Sequence, residues 1–310
     1  MRIRAILSFL CVTALAAGMV YAAPPGQIRV EVNLVNLFAT VHDKHKAIVH
    51  GLKQDDFQVF EDGQQQEITN FSAESNLPIT VGMLIDTSGS ETYMLSAEKQ
   101  AASRFLSRVM RKGDLAMVMT FDLDVNLLSD FTDDRARLDR AINRAEINTG
   151  GGGMVQGPLP QTGSLGTNFY DAVYLAAHDK LADEAGRKTM VILTDAEDNG
   201  SKMKLQDAIE TTQRTDTVVY ILLVAADGGD QMVAKKMTDE TGGRTFMVRN
   251  DRDLEQSFDQ ILDDLRTLYT IGYTPTNRAR DGSYRKIKLE MKNKEYSATT
   301  RRGYYAPRGN

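Results

Sequence analysis

The chain has 310 residues, a net charge of −5, 42% apolar and 25% charged residues, and a single cysteine. This is the composition of a folded globular chain, long enough for one large domain and a smaller one. An acidic balance with scattered lysines lacks the basic stripe of a nucleic-acid binder, and one cysteine excludes a disulfide framework.

Residues 1–22 read as a secretory leader. Arg2 and Arg4 precede the apolar run Ala5–Val20, and Val20-Tyr21-Ala22 offers small residues for cleavage after Ala22 or Ala23. Cys11 lies inside the apolar run and does not follow a lipobox. No later segment is apolar enough to cross a membrane. The expectation is an exported chain, periplasmic or extracellular, with no transmembrane segment after cleavage.

Residues 23–76 form an N-terminal β segment. Arg29–Val35 alternates at period two, Leu37–Val41 continues the pattern, and Ala47–Val49 follows the Asp43–Lys46 turn. Phe57–Phe60 and Gln66–Phe71 flank Asp62-Gly63, a hairpin signal. Residues 77–265 switch to strands alternating with helices. The strands Ile79–Ile85, Leu115–Phe121, Thr189–Leu193, Val218–Val224 and Arg244–Val248 are almost continuously apolar, as strands covered on both faces are. Amphipathic stretches lie at Tyr93–Met110, Arg135–Ala145, Phe169–Leu181, Leu205–Arg214, Met232–Glu240 and Leu254–Leu265. The pattern predicts an α/β fold, a doubly wound, mostly parallel sheet flanked by helices, with Val125–Leu128 as an antiparallel edge. Residues 149–166, rich in Gly and Pro, make the one long loop. Residues 266–310 return to β patterning at Leu268–Tyr273, Arg285–Met291 and Tyr296–Arg301. Neither terminal segment buries much alone, so the two are expected to pair into one small all-β sandwich.

The most informative stretch is Asp86-Thr-Ser88-Gly-Ser90. A buried strand ends in an Asp followed by two Ser at alternate positions, just before a helix. Ligands of open α/β sheets sit at the carboxyl ends of strands. This spacing lets one turn direct a carboxylate and two hydroxyls at a common centre. Such hard oxygens suit Mg²⁺. Thr167 ends the long loop at a helix start, and Asp195 ends the strand Met190–Thr194, beside the first βα loop in such a sheet.

Together, Asp86-x-Ser88-x-Ser90, Thr167 and Asp195 resemble the signature of von Willebrand factor type A domains, over roughly residues 77–265. The flanking β segments, Glu240-Thr-Gly-Gly-Arg244 and Tyr269-x-Ile-Gly-Tyr273 look like a secreted bacterial subgroup associated with acidobacterial proteins. The resemblance implies a metal-ion-dependent adhesion site. Ser88, Ser90 and Thr167 approach the ion directly, and Asp86 and Asp195 act directly or through water. Mostly neutral ligands leave the cation under-neutralised, so an open position favours an Asp or Glu carboxylate from a protein partner. Mg²⁺ is the expected ion, with Mn²⁺ and Ca²⁺ as alternatives. Glu91 adds an acidic group near the rim.

Competing signals are weaker. The hydroxyls of Ser88, Ser90 and Thr167 could instead cap helix N-termini. Asp86-Thr-Ser-Gly lacks the partners of a protease triad and the second Asp of a haloacid-dehalogenase phosphotransferase, and there is no phosphate loop. His42, His45 and His50 cluster near Asp43, a pattern that also suits an exposed turn, and His178 reads as a packed or surface residue. Asp122-x-Asp124-x-Asn126 has Leu127 where a calcium loop needs Gly. Leu159-Pro-Gln-Thr-Gly163 matches a sortase motif but is internal. Arg285–Lys294 reads as a half-exposed strand whose lysines protect an edge. The expectation is a protein-binding module and not an enzyme; the alternatives are a structural subunit of an envelope assembly and an enzyme using the ion as a Lewis acid.

Overall fold

A computed structural model describes residues 34–73, 77–148, 166–224 and 229–309. The leader, the Pro-Gly-rich loop and its sortase-like motif lie outside the described residues.

The central sheet has six strands: β5 (Ile79–Asp86), β6 (Leu115–Phe121), β7 (Val125–Thr132), β8 (Arg187–Thr194), β9 (Thr217–Val224) and β10 (Thr245–Val248). Their order is β10-β9-β8-β5-β6-β7, all parallel except β7, which runs antiparallel at the edge. This is the predicted doubly wound sheet. The β7 edge strand is longer than its sequence pattern, continuing past Leu128 to Thr132.

Six helices cover the sheet: α1 (Leu95–Val109), α2 (Arg135–Asn143), α3 (Phe169–Leu175), α4 (Leu205–Arg214), α5 (Gln231–Thr241) and α6 (Asp251–Arg266). Alternation along β5 decides which layer each side chain meets. Ile79, Val81, Met83 and Ile85 pack with α1, α2 and α6, whereas Leu84 joins the core under α3, α4 and α5. α3 passes into a π-helical turn at Ala176–Leu181, so the predicted single helix Phe169–Leu181 changes pitch midway.

The terminal strands form two antiparallel sheets. These strands are β1 (Val35–His42), β2 (Phe57–Glu61), β3 (Gln64–Gln66), β4 (Ile68–Ser72), β11 (Tyr269–Tyr273), β12 (Tyr284–Met291), β13 (Ser297–Thr299) and β14 (Gly303–Tyr305). One sheet is ordered β13-β1-β11-β4 and the other β14-β12-β2-β3. Each sheet mixes strands from both ends of the chain, and both contribute to one apolar core containing Leu37, Val59, Ile271 and Ile287. The predicted strand Gln66–Phe71 is broken at Glu67: β3 pairs with β2, and β4 crosses to pair with β11. Ala47–Val49 forms only a bridge, His42 to Ile48. β12 lies inside its sheet, between β14 and β2. Its Arg285 is buried against Glu61 at 3.2 Å, and Glu61 also accepts from Tyr273 Oη at 2.7 Å and Tyr304 Oη at 3.0 Å. The strand is half-exposed, as expected, but it is an inner strand carrying a buried ion pair and not an edge.

Candidate metal centre

β5 and β8 are neighbours, with Ile85 opposite Leu193, so Asp86 and the Thr194-Asp195 pair emerge side by side at the carboxyl edge. The chain leaves β5 towards β6 on one side and returns to β8 on the other. That makes the β5 loop the topological switch point, where ligands of such sheets bind.

Asp86 is buried and held from two directions. Thr194 Oγ1 donates to Oδ2 at 2.7 Å, and the Ser88 amide donates to Oδ1 at 2.9 Å. The hydroxyls of Ser88 and Ser90 lie 2.9 Å apart. Ser88 sits at the N-cap of the 3₁₀ turn Gly89–Tyr93, yet its side chain makes no capping bond. At α3 the N-cap is Asn168, not Thr167. Capping therefore does not account for these hydroxyls. Asp195 is buried, and its Oδ1 accepts from the Glu197 amide at 3.0 Å. Next to it, Ala196 takes a left-handed φ of 60° that a non-glycine residue rarely adopts.

Thr167 is buried at the start of α3 and belongs to the same loop cluster. Its amide donates to Asn199 Oδ1 at 2.7 Å, and its carbonyl accepts from the amides of Asn199 and Gly200 at 3.2 Å each. Asp122 ties the loops together. It accepts from Thr87 Oγ1 at 2.7 Å and Asn148 Nδ2 at 3.0 Å, while its carbonyl takes the Asn168 amide at 2.8 Å.

Among the described residues, one group of acids meets the geometry of a metal site: Asp86, Glu91 and Asp195, each offering an oxygen within 4.8 Å of the others. Glu91 is only 1% exposed, so it belongs to the interior of the site and not to its rim. Behind it lies Glu98, fully buried on α1; among the described residues no N–H or hydroxyl donor reaches Glu91 Oε1 or either Glu98 oxygen, and the two carboxyl groups bond each other. The sequence carried a signal for this. Glu98 falls on the apolar stripe Leu95, Ala102, Phe105 and Val109, with Glu91 one turn before it. Thr194 escaped notice because a Thr ending a buried strand looks like an ordinary β-former.

Burial pushes Asp86 up to about 7, against 3.8 for an ordinary aspartate, although the Thr194 and Ser88 bonds pull the other way. Burial, then the charge of Glu98, pushes Glu91 strongly upward, and burial raises Glu98 as well. None of the main influences on Asp86 or Glu91 is a cationic side chain. Two carboxylates at this spacing repel by about 3–4 kcal/mol at an effective dielectric near 20. The donor set is entirely hard oxygen, and a divalent cation is the group that would reconcile it.

The histidines do not form a second site. His42 Nε2 lies 3.3 Å from Asp264 Oδ1, while His178 stacks on Tyr174 and contacts Asp179.

Comparisons with known proteins agree with this fold. Residues 81–198 match the family model described as von Willebrand factor type A domain. The chain is 25% identical over 187 residues to calcium-activated chloride channel regulator 1 of Bos taurus, covering 58% of this chain. It spans only 19% of that relative's length. Among solved structures, the von Willebrand factor type A protein from Catenulispora acidiphila superposes with a TM-score of 0.52 at 12% identity. That alignment covers 82% of this chain and 74% of the other. Proximal thread matrix protein 1 from the mussel byssus, solved with a zinc-occupied MIDAS motif, gives a TM-score of 0.51 at 15% identity. It covers 65% of this chain and 48% of that one.

Proposed function

On the premise that the chain carries a von Willebrand factor type A domain, we propose that it is an exported adhesion or scaffold module that engages a protein partner through a divalent cation. The domain occupies residues 77–265 in this reading, carried by the terminal segments 23–76 and 266–310. Asp86 and Asp195 supply charge to the cation, and Ser88, Ser90 and Thr167 supply neutral oxygens. Mg²⁺ is the ion the oxygen set favours, with Mn²⁺ and Ca²⁺ sharing its preference for hard ligands. When bound, the ion supplies an electrophilic point to which a partner's Asp or Glu carboxylate adds.

One observation carries this reading. Buried acids converge within 4.8 Å beside a paired set of hydroxyls, at the switch point of the sheet. Uncompensated buried charges are costly, so such an arrangement needs a counter-ion or a proton. The surroundings suit a macromolecular ligand. Tyr93, three residues beyond Ser90, is 93% exposed. Met232, in the first turn of α5, is 83% exposed. The N-cap of α5, Asp230, donates its amide to the Asp195 carbonyl at 2.8 Å, so Met232 flanks the same loops. Exposed aromatic and Met side chains are typical anchors of protein interfaces. The mussel protein's zinc-occupied motif adds support for a metal at this place in the fold. Among the described residues no helix is long and apolar enough to cross a membrane.

The test is a pull-down from envelope extract with the purified protein as bait in Mg²⁺, in EDTA, and as Asp86→Ala. The expected result is a partner retained only by the unmutated bait in Mg²⁺. Thr167→Ala is expected to lose that partner with little change in thermal midpoint. Equal capture by all baits would reject metal-mediated adhesion and favour a structural subunit.

A further inference from the structure

We propose that Glu91 is a further cation-binding residue, a third carboxylate that lets this site hold its divalent ion before any partner arrives. The inference rests on the metal-centre reading above and deepens it. Asp86 and Asp195 are the acids that the motif supplies; Glu91 follows the second motif serine directly and is not one of its positions.

Three observations place it in the site. An oxygen of Glu91 lies within 4.8 Å of oxygens of both Asp86 and Asp195. The side chain is 1% exposed, so solvent does not compensate its charge. No N–H or hydroxyl donor reaches its Oε1 among the described residues, and the side chain it bonds is a further acid, Glu98. A buried carboxylate ordinarily accepts from backbone amides or pairs with Arg or Lys. Here the neighbour on the α1 side is another acid, Glu98, which can bond Glu91 only when one of the two carries a proton. A cation centred among Asp86, Glu91 and Asp195 would take the place of that proton as the partner of Glu91.

The consequence is a change in when the ion binds. With Asp86 and Asp195 alone, neutral hydroxyls would leave the bare site weak and dependent on the acid of a partner. A third carboxylate raises the affinity of the unpartnered protein and reduces the charge left for an incoming acid. The resting protein then carries its ion.

The experiment is calorimetric titration of the full chain with Mn²⁺ alone, with no partner present. Wild type, Glu91→Gln, Glu91→Ala and Asp86→Ala are compared, with the thermal midpoint in EDTA as the check on folding. The expected result is one ion per chain for wild type, ~10–100-fold weaker binding for both Glu91 variants, and none for Asp86→Ala. Glu91→Gln should keep a midpoint in EDTA near wild type, since its amide can still donate to Glu98. Wild-type affinity in either folded Glu91 variant, with Asp86→Ala still inactive, would overturn the role of Glu91 and leave the metal centre standing. Absence of Mn²⁺ binding by wild type would overturn both.

Discussion

At Asp86 two opposing demands meet in one carboxylate. The Thr194 and Ser88 donors favour its charged form, while burial and the charge of Asp195 disfavour it, and burial dominates. Its folded value of about 7 lies above the 3.8 of an ordinary aspartate. Without metal, the folded protein therefore holds a proton through this window that the unfolded chain has released. Stability in EDTA falls as pH rises from about 4 towards about 7 on this account, and the raised Glu91 and Glu98 act in the same direction. Divalent cations need the acids deprotonated, so metal stabilisation grows over the same interval. Comparing thermal midpoints of wild type and Asp86→Asn in EDTA isolates the effect: the variant should gain on wild type between pH 5 and pH 8. A constant difference across that range would show that Asp86 titrates normally.

Elements explain motifs that sequence could only recognise. In Glu240-Thr-Gly-Gly-Arg244, Gly242 ends α5 in the left-handed region at φ 88°. A Cβ at Gly243 would stand 1.9 Å from the Val219 carbonyl oxygen of β9, a backbone contact that no rotamer change relieves. Gly243→Ala is expected to cost at least ~1–3 kcal/mol, read as a lower denaturation midpoint, whereas a midpoint like wild type would mean that the α5–β10 turn yields freely. The parallel strands were legible because burial on both faces leaves continuous apolar runs, and Asp86, Ser88 and Ser90 were legible because their spacing sits at a strand end. The crossing of β3 into β4 was not, since no Gly or Pro interrupts Gln64–Ser72 while its hydrogen-bond partners change at Glu67. Buried Arg285 was hidden for a related reason. An Arg–Glu pair inside a sandwich and a solvated charge on an edge look alike in one strand, and only Tyr273, Tyr304 and Glu61, from three other strands, distinguish them.

At the scale of the whole molecule, the sandwich and the α/β sheet meet through polar contacts: His42 of β1 on Asp264 of α6, Tyr284 of β12 donating to Glu240 of α5, and several from one short segment, Arg301–Tyr305. The guanidinium of Arg301 bonds the Asp216 carboxylate beyond α4, donates to the Asn36 carbonyl of β1 at 2.9 Å, and lies over Tyr304. Arg302 donates to Asp239 of α5 at 2.7 Å, and Arg214 of α4 stacks on the Tyr305 ring at 4.3 Å. Gly242 belongs to the same seam, because a Cβ there would meet the Arg301 amide nitrogen at 2.5 Å. These groups have apolar cores on either side and, among the described residues, no shared apolar core between them. Each sheet system therefore has its own source of stability, and the seam decides whether they unfold together. Arg301 is 9% exposed while the Asp216 side chain is about half solvated, so the ion pair across the seam is screened, and the bond to Asn36 and the coverage of Tyr304, both within the sandwich, hold Arg301 in place to make it. Arg301→Ala is expected to cost ~2 kcal/mol, and to localise that loss. Amide exchange should speed up in β1, β11 and β12 and stay slow in β5, β8 and β9, whose cores it does not touch. Exchange that rises equally in both groups would mean that the seam is not the weak joint and that the two cores unfold as one unit without it.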